Sequence, residues 1–267
     1  RHPLREELDR AAPDHPVFVV RTCGHVSICN SMALALAGID ETSVAPQGGL
    51  IEKDASGRLT GLLAETARDP VRAVMPPPTH AELVDAIERA GRACLAYGIV
   101  GVMDAAVGMR AGMAELDAYR VARAEGRLPV RVSQCLLGGP GGIAEAAWEA
   151  GLRPGDGDAW LMAKQMKIFT DGSAGGRTAA MSAPYLGEPE TRGLLSLTDE
   201  EMRGFTRRYH EQGWQLAVHA IGDAAIEQTL DAMEAALAAA PDPDRRHRIE
   251  HCGFLSPDQT ARMARLW

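Results

Sequence analysis

A parallel α/β fold is predicted by three observations. From residue 99 onward, five short β-rich runs follow one another. Each is separated from the next by a segment with helical periodicity, a spacing that suits βα units. Cap, turn and breaker residues punctuate the junctions. Five strands are too few for a closed eight-stranded barrel, so the sheet is either doubly wound and open or a barrel lacking strands at both ends. No Gly-x-Gly-x-x-Gly with an acidic residue about 20 positions on follows a first strand, which leaves the dinucleotide-binding version without support.

The elements can be justified in order. Residues Pro16 to Arg21 are a short β-rich run. Asn30 to Gly38 is a short helix, with Asn30 or Ser31 as cap and Gly38 as stop. Pro46 to Gly61 carries turn residues at both ends and reads as a hairpin or loop. Pro76-Pro77-Pro78 is a hard break between residues 1–78 and 79–267.

Beyond the break, Thr79 caps a helix that runs to Tyr97-Gly98. Ile99 to Asp104 is the first strand of the regular series, followed by a helix over Gly112 to Glu125. Pro129 to Leu137 is the second strand, Gly138 to Gly142 a loop, and Ile143 to Gly151 a short helix. Lys164 to Thr170 is the third strand. Thr198 caps a helix to Gln212-Gly213, whose first turn (Asp199, Glu200, Glu201) complements the helix dipole. Leu216 to Ala220 is the fourth strand. An Ala-rich helix from Asp223, its expected cap, to Ala240 is ended by Pro241 and Pro243. Arg248 to Cys252 is the fifth strand. Ser256 then caps a last helix with Pro257 at its first position. The chain starts at Arg1 rather than Met and stops at Trp267 within a helical pattern, so both ends look cut.

Composition narrows the function classes. Of 267 residues, 46% are hydrophobic and 24% charged, which is ordinary for a globular enzyme. Aromatic residues make up only 4%, so Ala, Val, Leu, Ile and Met must build the core. A net charge of −8 argues against nucleic acid as the main partner. No apolar stretch reaches the roughly 18 residues of a membrane span, and the first residues lack the apolar core of a signal peptide. The expectation is a cytoplasmic protein acting on a small molecule, with a homo-oligomer allowed. The five cysteines form no Cys-x-x-Cys pair, which argues against a disulfide framework or a Cys-rich zinc site. Cys252, next to His251, is the one to watch.

Chemistry concentrates at strand ends. His219 closes the run Gln215-Leu-Ala-Val-His219, and His251 closes His247-Arg-Ile-Glu-His251. Lys167 lies in the third strand within Met166-Lys-Ile-Phe-Thr-Asp171. In a parallel barrel, the carboxyl ends of the strands converge on one mouth. Alternation puts Lys167, Phe169 and Asp171 on one face, and Gln215, Ala217 and His219 on one face. It also pairs Ile249 with His251, which sends Arg248 and Glu250 outward. Two imidazoles at one mouth suit a divalent metal, although single strand-end histidines are commonly hydrogen-bonded core residues. A protonated lysine cannot ligate a metal. Lys167 could instead form a Schiff base, or bind an anion with the Gly172–Gly176 loop, as in an aldolase or isomerase. A non-catalytic fragment is a third reading.

Several stretches resemble the metal-dependent amidohydrolase superfamily, in its N-substituted formamide deformylase-like branch. They are Gly24-His25 with Asn30-Ser31 and Ala33-Leu34; Thr60-Gly-Leu-Leu-Ala-Glu65; Met166 to Ser173 with Arg177-Thr-Ala179 and Pro184-Tyr185; Val218-His-Ala-Ile-Gly-Asp-Ala224; and Arg248-Ile-Glu-His251. The resemblance implies a (β/α)8 TIM-type barrel, here about strands two to six, preceded by an N-terminal α/β insertion in residues 1–78. It implies hydrolysis of amide-type carbon–nitrogen bonds by metal-activated water, with zinc (one or two ions) as the favoured metal. Lys167 matches the strand-four lysine, commonly carbamylated so that it bridges two metals. His219 and His251 match the strand-five and strand-six ligands. His25, Arg177 and Tyr185 are candidate substrate contacts, against a packing role for His25 and simple loop anchoring for Arg177 and Tyr185; Glu65 is a candidate supporting group or else a surface carboxylate. The family's His-x-His pair and its general-base Asp have no counterpart here, so that Asp is expected beyond the C-terminus.

Overall fold

The computed structural model describes residues 2–266, which leaves the two end residues noted above, Arg1 and Trp267, outside the described residues. Two sheets organise it. The first is antiparallel. It is preceded by helix α1 (Arg5–Ala11) and built from β1 (Phe18–Val20), β2 (Val26–Cys29), β3 (Gly49–Lys53) and β4 (Leu59–Glu65). Helix α2 (Ser31–Leu36) follows β2, and α3 (Asp69–Val74) follows β4. The strand order is β1-β2-β4-β3. The expected hairpin is β3–β4, and Asn30 rather than Ser31 caps α2 by accepting from Ala33 N at 3.0 Å. The sequence reading missed β2. It is four residues long with Ser27 as its one polar position, and all four are buried, so the run is too short for its period to stand out from its neighbours. Its Cys29 packs in a small core with Leu34, Leu59, Leu63 and Val71.

The second sheet is parallel and begins after α4 (His80–Ala96), which Thr79 caps as expected, in a capping box with Glu82. The series runs β5 (Gly101–Val107), α5 (Met113–Ala124), β6 (Arg131–Leu137), α6 (Ala144–Glu149), β7 (Leu161–Phe169), α7 (Asp199–Glu211), β8 (Gln215–Ala220), α8 (Asp223–Ala239), β9 (Arg248–His251) and α9 (Pro257–Leu266). The spatial order β5-β6-β7-β8-β9 follows the chain without reversal. A doubly wound sheet needs a reversal, so that alternative is excluded. What forms is a curled, singly wound half-barrel. Leu136, Met166, Ile168, Leu216 and Val218 pack on its outer face against Met202 and Tyr209 of α7 and Met233 of α8.

Register corrects one expectation. Ala217 pairs with Arg248 and His219 with Glu250. Arg248 and Glu250 therefore share the inner face with His219, while Ile249 packs against the outer core. The charges are accommodated because they satisfy each other, Arg248 Nη2 lying 2.7 Å from Glu250 Oε1, and Arg248 also reaches Met103 Sδ of β5 at 3.2 Å. A second correction concerns Asp223. Gly222 is the N-cap of α8, and Asp223 instead accepts from Ser182 N at 2.8 Å, tying in the loop after β7. All five cysteines are free thiols. Burial pushes Cys29 and Cys135 up to about 12 and raises Cys252.

Candidate functional site

The carboxyl ends of β7, β8 and β9 bring three rings together, and a fourth joins them from the antiparallel sheet. The Phe169 and His219 centroids are 5.1 Å apart, and those of His219 and His251 are 4.6 Å apart at an interplanar angle of 70°. His25, from the turn before β2, adds its ring 5.1 Å from His219. His251 reaches the cluster against the phase of its strand. Its φ of 71°, followed by 50° at Cys252, breaks the alternation that pairs it with Ile249.

Burial sets the electrostatics. Lys167 is 3% exposed, and its Nζ lies 4.5 Å over the Phe169 ring. Desolvation lowers its pKa to about 8, with Arg248 adding to the effect and Glu250 opposing it. Desolvation also lowers His219 to about 3, partly offset by its 2.8 Å contact from Nε2 to the Gly172 carbonyl. A carbonyl only accepts, so Nε2 carries the proton and Nδ1 keeps a free lone pair. His251 is lowered by desolvation and by Lys167.

Asp171 is the residue whose importance the sequence reading understated. It is 1% exposed and accepts from Ala180 N, Ile221 N and Gly222 N at 2.8–3.0 Å, which pins the end of β7 to the start of α8. Its Oδ1 lies 3.5 Å from His219 Nε2. Desolvation raises its pKa to about 6 against the pull of those amides. An acidic residue two positions beyond a largely buried strand was the available signal.

The sequence model of the amidohydrolase family matches residues 1–267, the whole chain. The chain belongs to the amidohydrolase family. It is similar to amidohydrolase YtcJ of Bacillus subtilis, with 35% identity over 263 residues that cover 98% of this chain and 48% of that protein. It is also similar to the N-substituted formamide deformylase of Arthrobacter pascens, with 33% identity over 284 residues, covering 100% of this chain and 49% of that one. Among solved structures, an uncharacterized metal-dependent hydrolase from Pyrococcus horikoshii superposes with a TM-score of 0.70 at 30% identity, covering 100% of this chain and 50% of the other. The chain thus spans about half the length of the curated relatives it matches.

The remaining candidates of this amidohydrolase chain divide. His25 is in the cluster. Arg177 stands in the left-handed region (φ 56°) and pairs with Glu188, and the Tyr185 hydroxyl donates to the Ala179 carbonyl at 2.8 Å. The contacts shown for both are within the loop after β7. The Gly172–Gly176 stretch spends most of its amides on the loop itself. The Gly172, Ser173 and Gly176 amides donate to Thr178 O, Thr178 Oγ1 and Ser173 Oγ. Three of the five amides of Gly172–Gly176 are thus already engaged within the loop, which counts against a phosphate-binding reading. Among the described residues, no three His, Cys, Asp or Glu side chains stand close enough to hold a metal ion by themselves. None of the described helices is long and apolar enough to cross a membrane.

Proposed function

We propose that the protein is a metal-dependent hydrolase of amide-type carbon–nitrogen bonds, whose centre involves Lys167, His219 and His251. The observation that carries this reading is the meeting of two imidazoles and one buried lysine at the carboxyl ends of three successive parallel strands. Membership of the amidohydrolase family supports it, and so does the metal-dependent hydrolase from Pyrococcus horikoshii. The donor chemistry fits a divalent metal. Burial keeps His219 unprotonated near neutral pH, with Nδ1 available, and the His251 ring lies beside it. Zinc is the metal we propose first.

A lysine lowered to about 8 has a reactive neutral fraction near pH 7, the form whose nitrogen adds to carbon dioxide and releases a proton to give a carbamate anion. A carbamate would add the anionic oxygens that a set of two imidazoles lacks. A bound divalent ion supplies Lewis-acid polarisation of a carbonyl and acidifies a water. Asp171 holds the β7–α8 corner so that His219 keeps its orientation, and Phe169 keeps bulk water from the Lys167 amine. Arg177 and Tyr185 are proposed to face substrate from the loop after β7. We also propose that the half-barrel is strands two to six of a (β/α)8 barrel and that residues 1–78 are an insertion before it.

Metal analysis tests the reading. The full-length protein should purify with a divalent ion, lose hydrolysis to chelator and regain it with zinc. His219→Ala and His251→Ala should each lower metal content. Trace metal together with chelator-insensitive hydrolysis overturns it.

A further inference from the structure

The antiparallel sheet reaches the site through His25 and Glu65. The Glu65 amide donates to the His25 carbonyl at 3.0 Å where the β2–β4 ladder ends. Glu65 has φ 50° and ψ −126°, a region costly for any residue with a side chain. That turn delivers a carboxylate that is 9% exposed. Glu65 Oε2 lies 2.9 Å from His25 Nδ1, and Oε1 accepts from Thr178 Oγ1 at 2.6 Å. Thr178 belongs to the loop after β7, so one carboxylate bridges the two sheets. Gly172 makes room for it, because a Cβ there would come within 2.1 Å of both Glu65 Oε1 and Thr178 Oγ1. The turn carrying His25 is fastened as well. Arg21 Nη1 donates to the Gly175 carbonyl at 2.6 Å, and Arg68 Nη1 to the Gly24 carbonyl.

A carboxylate only accepts, so the proton of a neutral His25 ring resides on Nδ1. Nε2 then carries a lone pair, and among the described residues it has no hydrogen-bond partner. We propose that Glu65 is a positioning residue that locks His25 as a hydrogen-bond acceptor beside the His219–His251 pair, so that the antiparallel sheet selects substrates bearing an N–H next to the scissile carbonyl. This deepens the hydrolase reading and rests on it for the word substrate. The locked ring itself does not depend on that reading.

Two measurements test it. Long-range nitrogen–proton NMR of this chain at pH 7.5 should show His25 as the Nδ1–H tautomer, the rarer form in water, and Glu65→Gln should weaken or abolish that preference while the fold is retained. A merely structural glutamate would leave the tautomer unmoved. An Nε2–H or doubly protonated wild-type ring overturns the lock. In the metal-loaded full-length protein, 4-nitroacetanilide should be preferred over its N-methyl analogue by about tenfold in kcat/KM, the size of one neutral hydrogen bond. His25→Phe and Glu65→Gln should bring that ratio toward one with metal content unchanged. A ratio unaltered in both variants overturns the selection. Failure to hydrolyse either probe counts against the hydrolase reading and against the selection, whereas the tautomer still decides the lock.

Discussion

Two buried histidines away from the candidate centre form a wire whose polarity is fixed at both ends. His210 Nε2 lies 2.6 Å from the Ala240 carbonyl, which only accepts, so that nitrogen bears a proton. Leu216 N–H, which only donates, points at His247 Nδ1 at 3.0 Å. The remaining contact, His210 Nδ1 to His247 Nε2 at 2.9 Å, is then satisfied with both rings neutral. An extra proton on His247 would sit on Nδ1 and face the Leu216 N–H. Burial is the main cause that lowers His247 to about 3. The neighbouring His210 and Arg245 add to it, and Asp242 opposes it.

The sign follows from linkage. Below the ordinary value of about 6.5, the unfolded chain takes up a proton that the folded chain refuses. The stability associated with neutral His247 is therefore present above about pH 6.5 and is lost as pH falls toward 3. Between pH 7 and pH 5 the loss comes to about 2 kcal/mol, an order-of-magnitude figure. The assay is urea unfolding followed by far-UV circular dichroism at pH 7, 6 and 5 on wild type and His247→Gln. The difference between the two cancels other titrating groups, including Asp171, whose raised value works in the opposite direction. The variant should be less stable at pH 7, and the gap should shrink by about 2 kcal/mol at pH 5. A gap that stays constant across the three pH values refutes the reasoning.

Other outcomes follow from single contacts. Gly172→Ala should lower stability by about 1–3 kcal/mol, read by denaturant midpoint, because its Cβ collides with Glu65 and Thr178. Asp171→Asn should cost about 2–3 kcal/mol, because an amide group cannot accept from all three backbone N–H donors, and it should also reduce zinc uptake measured by titration calorimetry. Thr198→Ala should cost about 1 kcal/mol in the same unfolding assay, since Thr198 Oγ1 accepts from Glu201 N at 3.2 Å to cap α7.

Local chemistry made much of the fold legible. Thr79 and Thr198 announce their helices because a hydroxyl three residues before a glutamate satisfies free amides whatever the tertiary context. The five strands of the half-barrel could be read because each is a short run with mostly apolar outward-facing positions, bounded by Gly, Pro or cap residues. His219 could be placed because Leu216 and Val218 demand the opposite face. The sequence by itself therefore determined the parallel βα series, the starts of the threonine-capped helices α4 and α7, and the inward direction of Lys167 and His219.

Tertiary structure alone decided the rest. Whether the sheet reverses depends on which strands pair, and alternation within single strands holds no information about partners. The face taken by Arg248 and Glu250 was set by register with β8, and the two charges tolerate the inner face because they neutralise each other there. His251 joins His219 only because two consecutive residues adopt positive φ, at an energetic cost that packing must offset. The partnership of His25 with Glu65, and of Glu65 with Thr178, spans two sheets and more than a hundred residues of chain, a distance over which spacing carries no signal. Short-range order was written in caps and periodicity, whereas the site was assembled by long-range contacts that only a closed fold can make.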